Sequence, residues 1–184
     1  MRLNKRIKIL LYGGTMWYFG EGMLGPLFAI FTERVGGTIL DVSWAWATYL
    51  IFAGFLYIIV GKITDIRDNK EKVMLFGYAL NTLFTFAYLL VSVPWHLFIV
   101  QAGLGIAAAM ATPTWNALYA KHEDRKNGGF QWGLSGGMAQ IITGIAVIIG
   151  GYIVSYFSFT TLFMLMGTVQ AFATFIQLQI ITNK

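Results

Sequence analysis

Long apolar stretches separated by short charged stretches dominate the pattern of this chain. The stretches 42–60 and 73–93 contain no Lys, Arg, Asp or Glu, and the stretch 61–72 between them (GKITDIRDNKEK) carries seven charged side chains. A helix of about 20 apolar residues is long enough to cross the roughly 30 Å hydrocarbon core of a bilayer. The pattern therefore predicts two membrane helices joined by a tight charged turn at the membrane surface.

The same pattern along the whole chain predicts six membrane helices in one transmembrane domain over residues 1–184. Residues 127–183 contain no charged side chain, and a single helix of that length would measure about 85 Å. We therefore expect this region to fold back once, near Ser155–Ser158. Strands of a membrane β-barrel would alternate apolar and polar residues, and these stretches do not. The predicted fold class is an all-α membrane protein with helices at approximately 7–32, 42–60, 73–93, 95–120, 129–154 and 159–180.

The Lys and Arg residues predict how these six spans are oriented. Six spans place both termini on the same side of the membrane, and cytoplasmic loops collect Lys and Arg. Twelve of the 13 basic residues fall at the termini or in the second and fourth loops, whereas Arg34 falls on the opposite side. The twelve are Arg2, Lys5, Arg6, Lys8, Lys62, Arg67, Lys70, Lys72, Lys121, Arg125, Lys126 and Lys184. Both termini are therefore predicted to be cytoplasmic.

Composition agrees with a multi-pass protein of the cell membrane, surrounded by the lipid bilayer. The chain is 57% hydrophobic and 11% charged with a mean hydropathy of +0.66, whereas a soluble domain is roughly a quarter charged. Its net charge of +5 does not indicate nucleic-acid binding, because basic residues gather in cytoplasmic loops. The absence of cysteine excludes disulfides, thiolate metal sites and a Cys nucleophile. We expect no metal and no cofactor.

Glu21 is the acidic residue that lies well inside an apolar span, about fourteen residues into the first one. A charge at that depth costs at least ~2.5–3.5 kcal/mol, so such residues usually face a polar interior and take part in ion or proton movement. We therefore predict that Glu21 couples transport to protons. The alternative is a protonated glutamate that hydrogen-bonds a neighbouring helix for structure alone.

The predicted fourth helix carries a polar stripe along one face. Its members recur at helical spacing and are Gln101, Ala108, Thr112, Trp115, Asn116 and Tyr119. Amides and hydroxyls alternating with aromatic rings suit a hydroxylated or weakly polar solute, and interhelical hydrogen bonding is the alternative. Trp95, Tyr119 and Trp132 are expected to lie in the membrane interface. The predicted solute-binding residues are Trp17, Tyr18, Gln101, Thr112, Trp115, Asn116 and, on the fifth helix, Gln140.

Pro26 and Pro113 are predicted to interrupt the first and the fourth helix. If the six helices form two related sets of three, these two helices correspond to each other. Interrupted helices in corresponding positions indicate a transport site, because freed backbone carbonyls can face a cavity. The prolines thus favour a 3+3 repeat with its solute site near them.

Three stretches resemble the signatures of one transporter family. Gly61–Asp65, followed by Arg67, Lys70 and Lys72, resembles the signature between helices two and three of the major facilitator superfamily, with Ile66 and Asp68 departing from it. The stretch 101–109 (QAGLGIAAA) is similar to the helix-four signature, with Ile99 near the place of its usual Arg. Gly150 and Gly151 match the end of the fifth-helix antiporter motif, but Ala146 and Val147 replace its Gly-Pro, which argues against an antiporter.

The resemblance implies half of a twelve-helix fold. The two halves of such transporters are parallel repeats that bind solute between them at the membrane midplane. A six-helix chain can build the same site as a twofold homodimer, and a truncated or engineered N-terminal half is the alternative. The resemblance also implies proton coupling through Glu21 and a cytoplasmic conformational latch made of Gly61, Asp65, Arg67 and Lys72.

The predicted function is proton-coupled uptake of a small polar solute such as a sugar. Efflux of drugs or lipophilic cations is the alternative, and a channel or lipid scramblase is a third possibility. Residues 133–136 (GLSG) formally match the G-x-S-G of rhomboid-type intramembrane serine proteases. However, a serine nucleophile needs a base, and His96 and His122 are predicted in loops on opposite sides. We therefore expect Ser135 not to be catalytic, and the protein not to be an enzyme.

Overall fold

Seven α-helices follow one another in the computed structural model, which describes residues 3–182. They are α1 (Lys5–Gly22), α2 (Leu27–Arg34), α3 (Ile39–Arg67), α4 (Lys70–Ala87), α5 (Pro94–His122), α6 (Gly128–Tyr156) and α7 (Phe159–Thr182). Short 3-10 turns at Tyr88–Leu90 and Arg125–Asn127 complete the described part, which has no β-strand. The predicted all-α fold is confirmed for these residues. Arg2 and Lys184, which contribute to the predicted orientation, lie outside them.

Five of these helices are long and apolar enough to cross a membrane, judged by length and composition within residues 3–182. They are α3, α5 and α7, together with α4 and α6 when each is extended by its neighbouring 3-10 turn. These five correspond to the second to sixth predicted spans. The first predicted span is not among them, so the count of six spans, the 3+3 repeat and the cytoplasmic termini stay predictions.

The first predicted span is two helices rather than one. Within the predicted span 7–32, α1 ends at Gly22 and α2 begins at Leu27, with a turn at residues 23–26 between them, where Pro26 was predicted to interrupt the helix. Pro26 has no N–H to donate to the carbonyl of Gly22, and glycine itself has low helix propensity. The helix is therefore interrupted just after Glu21.

The charged stretch 61–72 is mostly helical, which corrects the predicted turn. α3 continues through it to Arg67 and α4 begins at Lys70, so only Asp68 and Asn69 separate the two helices. Asp68 has a φ of 42°, and this left-handed conformation ends α3. Helix α3 extends beyond its apolar run because its charged side chains Lys62, Asp65 and Arg67 are exposed.

Pro113 lies inside α5, which continues from Pro94 to His122. The predicted break of the helix at this position is therefore not seen. The proline ring removes one backbone donor, but the neighbouring turns hold the helix together, and Thr114 Oγ1 donates to the carbonyl of Ala111 at 3.0 Å. Of the two predicted interruptions, only the one at Pro26 separates two helices.

Helix α5 packs between α3 and α4 and is the most buried of the five long helices. Small residues allow this close approach. A Cβ at Gly105 of α5 would stand 2.6 Å from the carbonyl oxygen of Tyr49 in α3, and a Cβ at Gly77 of α4 would stand 2.6 Å from the backbone nitrogen of Ala111. Helices α3 and α6 are mostly exposed. α5 consequently reaches the interior of the bundle along much of its length.

Candidate functional site

Two cavities of about 230 Å³ each lie within the helix bundle. Cavity 1 is lined by Gly14, Trp17, Tyr18, Tyr78, Ala111, Thr112, Trp115, Asn116, Trp132, Ser135, Gly136 and Ala139, from α1, α4, α5 and α6. Cavity 2 is lined by Glu21, Leu24, Gly25, Phe28, Trp46, Tyr49, Thr85, Tyr88, Gln101, Leu104 and Met166.

Cavity 1 combines aromatic rings with uncharged polar groups. Its aromatic side chains come from two tyrosines and three tryptophans, and its polar groups come from Thr112, Asn116 and Ser135. None of the described residues that line it carries a charge. A neutral solute with hydrogen-bonding groups and an apolar face is therefore the chemical class that this cavity matches best.

The rings of cavity 1 are held by specific contacts. The Trp115 indole Nε1 donates to the carbonyl of Leu10 at 3.0 Å, and its ring stacks on Tyr119 with centroids 4.8 Å apart. Tyr119 also meets the edge of Trp132 at 4.8 Å, and its hydroxyl donates to the carbonyl of Gln131 at 2.7 Å. Tyr119 and Trp132 thus help to form one wall of cavity 1, and their place in the membrane interface stays a prediction.

Cavity 2 contains a carboxylate at the interrupted helix. Glu21 is half-buried in the last turn of α1 and is the one charged residue among the described residues that line this cavity. Trp17 lies one turn earlier on α1 and lines cavity 1. Thr85, Gln101 and two tyrosines add further polar groups. Glu21 therefore faces a partly polar interior, as its depth in an apolar span predicts.

The helix interruption removes the usual hydrogen-bond donor of one backbone carbonyl next to Glu21. Because Pro26 lacks an N–H, the Gly22 carbonyl has no helical donor four residues later. This oxygen lies close to Gly25, where a Cβ would stand 3.2 Å from it, and Gly25 itself lines cavity 2.

One face of α4 runs from cavity 1 to cavity 2. Tyr78 lines the first cavity and Thr85 lines the second, and both share a face of α4 with Asn81 between them. Tyr88, in the 3-10 turn that follows α4, also lines the second cavity. Asn81 is fully buried, and neither atom of its amide has a hydrogen-bond partner among the described residues. The wall that separates the two cavities therefore contains an unpaired polar group.

Two glutamines of α7 complete this wall. Gln170 Nε2 donates to the carbonyl of Trp17 at 3.0 Å, and Gln177 Nε2 donates to the carbonyl of Leu10 at 3.3 Å and to the Tyr78 hydroxyl at 3.2 Å. The two amides occupy the space above Gly20 and Gly13 of α1 respectively. These amides were not among the predicted site residues. However, Gly13 and Gly20 are seven residues apart, as are Gln170 and Gln177, and this matched spacing is a recognisable signal for two packed helices.

The predicted solute-binding residues separate into three groups. Five of them line cavity 1: Trp17, Tyr18, Thr112, Trp115 and Asn116. Gln101 lines cavity 2 with Glu21 instead. Gln140 is exposed on α6 and lines neither cavity, so the structure does not place it with the others.

The predicted latch residues lie at the junction of α3 and α4. Asp65 forms an ion pair with Lys70, with 2.9 Å between Oδ1 and Nζ, and the same ammonium donates to the Thr64 carbonyl at 3.0 Å. Arg67 and Lys72 are exposed. Lys70 is thus the cation that contacts Asp65, although it is not one of the predicted latch residues.

The serine and the two histidines do not come together. Ser135 lines cavity 1, whereas His122 contacts the Leu118 carbonyl through Nδ1 at 2.7 Å and Arg6 through Nε2 at 3.0 Å. His96 contacts Ser92. Within residues 3–182 there is also no group of three or more His, Asp or Glu side chains that would hold a metal ion. The arrangement offers binding groups rather than a nucleophile with its base.

Comparisons with known proteins match this architecture. A family model described as the Major Facilitator Superfamily matches residues 10–180. An uncharacterized MFS-type transporter from Methanocaldococcus jannaschii is 24% identical over 189 aligned residues, which cover 100% of this chain and 48% of that protein. The chain therefore spans about half the length of the curated relative that it matches.

Proposed function

The chain belongs to the Major Facilitator Superfamily, and we propose that it is a proton-coupled secondary transporter that takes up a small polar solute such as a sugar. Membership confirms the resemblance found at residues 61–72 and 101–109. Members of this family are transporters rather than enzymes, and a multi-pass protein of the cell membrane fits the apolar helices. The observation that carries the finer proposal is the position of cavity 1 next to the Trp17–Glu21 turn of α1.

The solute class is argued from the lining of cavity 1. Hydroxyl and amide groups of Thr112, Asn116 and Ser135 provide both donors and acceptors for the hydroxyls of a sugar. Tryptophan and tyrosine rings provide apolar surface for the face of a sugar ring. Because no lining side chain among the described residues is charged, a charged solute would find no counter-charge in this cavity.

Proton coupling is assigned to Glu21. Carboxylates inside the membrane commonly carry protons in transporters. Trp17 lines cavity 1 and lies one turn before Glu21 of cavity 2 on α1, so solute binding and protonation would act on neighbouring side chains of one helix.

In this proposal, one copy of the chain forms one side of the solute pathway, and a second copy forms the other side. Six spans, with α1 and α2 counted as one, would place both termini in the cytoplasm and form two sets of three. α6 provides Trp132, Ser135 and Gly136 to cavity 1 but is mostly exposed, as is α3. A twofold homodimer that pairs these exposed helices would enclose the cavities between the two copies.

The junction of α3 and α4 acts as the latch between access states. The Asp65–Lys70 pair and the contact of Lys70 with the Thr64 carbonyl tie the end of one helix to the start of the next. These contacts would form in one state and break in the other, so that they bias the equilibrium. Arg67 and Lys72 add positive charge at the same surface, and Gly61 lies one turn before Asp65.

A second candidate function is efflux of drugs or lipophilic cations in exchange for protons. The aromatic rings of cavity 1 favour it, because such rings also attract large organic cations. In this candidate function, the Glu21 carboxylate has to attract a cation that is bound in cavity 1 or between two copies of the chain.

The decisive experiment measures currents driven by a pH gradient in proteoliposomes. Wild type, Glu21→Gln and the matched control Glu33→Gln, which removes an exposed carboxylate at the end of α2, are challenged with panels of sugars and of lipophilic cations. We expect sugar-dependent currents that the Glu21 variant lacks and the Glu33 variant keeps. Currents with cations alone support efflux, and sugar flux that persists in Glu21→Gln contradicts proton coupling.

A further inference from the structure

Cavity 2 has a chemistry of its own that the uptake of a neutral solute leaves unused. Its charged group is the Glu21 carboxylate, and the Gln101 amide adds a neutral polar group to the lining. No Lys, Arg or His is among the described residues that line it. An ionised carboxylate in such a place is costly unless a cation accompanies it.

The aromatic part of the lining indicates what kind of cation fits. Trp46 and Tyr49 of α3 stack at 5.6 Å with an interplanar angle of 28°, and Phe28 of α2 lies 6.5 Å from the Trp46 ring. All three line cavity 2, as does Tyr88. Aromatic rings attract alkylated ammonium groups, and tryptophan does so most strongly. A small inorganic ion would leave these rings without a contact.

The size of cavity 2 restricts the ligand further. A volume of about 230 Å³ is below the 300–1,000 Å³ that is common for sites of drug-sized ligands. The cavity therefore suits a compact head group rather than a large lipophilic cation. Cavity 1 has the same volume and similar rings, but it has no carboxylate.

We propose that cavity 2 binds a small organic ammonium ion of about the size of choline. The Glu21 carboxylate neutralises its charge, the Trp46 ring contacts its N-methyl groups, and the Gln101 amide hydrogen-bonds its polar end. A proton and the ammonium ion compete for the same carboxylate, so each displaces the other. The site goes beyond the proposed uptake function, since it does not depend on which solute cavity 1 takes.

The test compares choline with its neutral carbon analogue, 3,3-dimethylbutan-1-ol, on the purified full chain in detergent. Radiolabelled choline is measured by equilibrium dialysis, and the alcohol is used as an unlabelled competitor. We expect saturable choline binding that excess alcohol leaves intact. Glu21→Gln should abolish binding, and Trp46→Leu should weaken it roughly tenfold.

Two control variants make the same chemical changes outside the cavity. Glu33→Gln removes an exposed carboxylate, and Trp44→Leu removes an exposed tryptophan two residues before Trp46 on α3. Both should bind choline as wild type does. If Glu21→Gln does not yield folded protein, the comparison of choline binding between Trp46→Leu and Trp44→Leu tests the proposal.

Three results would overturn the proposal: no saturable choline binding, displacement by the neutral alcohol at equal concentration, or unchanged binding in both cavity variants. Displacement of choline by sodium but not by larger ammonium ions would assign the cavity to an inorganic cation and also contradict it. Because dialysis involves no transport, its outcome is independent of the sugar-driven currents. The proposal and the uptake function can therefore fail separately.

Discussion

Gly150 of α6 packs directly on the backbone carbonyl of Met23, at the interruption between α1 and α2. A Cβ at position 150 would overlap that oxygen and stand 3.0 Å from the Met23 Cα. The contact is between backbones, so neither side can move by a change of rotamer. The shape of the chain directly after Glu21 therefore depends on the absence of a side chain on another helix.

Gly150→Ala should destabilise the protein and displace the interruption. Forcing an extra methyl group into a packed interior typically costs about 1–3 kcal/mol, and here it acts next to the lining of cavity 2. The measurement is the thermal unfolding midpoint in detergent, together with the pH-driven current. Gly151→Ala is the matched control, because a Cβ there has nothing within 4 Å. Equal unfolding midpoints for Gly150→Ala and Gly151→Ala would show that Gly150 does not pack on the Met23 carbonyl.

Asn81→Leu should raise stability. Both amide atoms of Asn81 are buried without a partner in the described part of the chain, and a buried unsatisfied polar group costs about 1–3 kcal/mol. An apolar side chain of similar size removes that cost, so the unfolding midpoint should rise. In Thr85→Val, the hydroxyl that is lost already donates to the Asn81 carbonyl at 2.8 Å, and the midpoint should change little. A lower midpoint for Asn81→Leu would show that its amide is paired in the folded protein.

Apolar stretches and charge positions were enough to predict the all-α architecture, the five long spans and the turn at Phe157 and Ser158 between α6 and α7. They were not enough for the ends of the helices. The charged residues of 61–67 continue α3, because water solvates their side chains and the backbone remains free to stay helical. Both Pro26 and Pro113 were predicted to interrupt a helix, but only Pro26 has nearby glycines, which lower the helix propensity around it.

The binding residues were predictable where a polar stripe on one helix marks them, as for Thr112, Trp115 and Asn116. Contacts between helices were not, because they depend on packing. Trp132 was expected at the membrane surface, and it lines cavity 1 because Tyr119 holds its ring. Gln101 belongs to the same stripe, yet it lines cavity 2, because α5 is long enough to contact both cavities.

The effects of removing Asp65 and of removing Lys70 should be less than additive, because the two side chains form one ion pair. Exposed ion pairs contribute about 0.2–1 kcal/mol, and the Asp65 side chain is 74% exposed. Asp65→Asn should therefore change stability little, whereas Lys70→Met replaces a side chain that is 17% exposed and also loses its contact with the Thr64 carbonyl. Each change should alter the rate of solute exchange if the pair biases one access state. A double-mutant cycle on exchange rates measures the coupling. Lys72→Met removes an exposed cation of the same stretch and serves as the control. Additive effects of the two single changes would contradict the latch.

Tyr119→Phe should weaken solute binding although Tyr119 does not line cavity 1. Its hydroxyl donates to the carbonyl of Gln131 at 2.7 Å, and its ring contacts both Trp115 and Trp132, which do line the cavity. Loss of the hydroxyl leaves a buried carbonyl without this donor and releases the ring. A net hydrogen-bond contribution of about 0.5–1.5 kcal/mol corresponds to a rise in KM of roughly two- to tenfold, with the maximal transport rate maintained.

The control for this change is Tyr152→Phe, because the Tyr152 ring is exposed on α6 and stacks only on Tyr156 among the described residues. It removes the same hydroxyl far from both tryptophans, so KM should stay at the wild-type value. Concentration-dependent uptake into proteoliposomes separates KM from the maximal rate, and the unfolding midpoint separates positioning from general instability. A folded Tyr119→Phe protein with unchanged KM would mean that the two tryptophans keep their positions without the hydroxyl, and that cavity 1 is held by α1 and α5 alone.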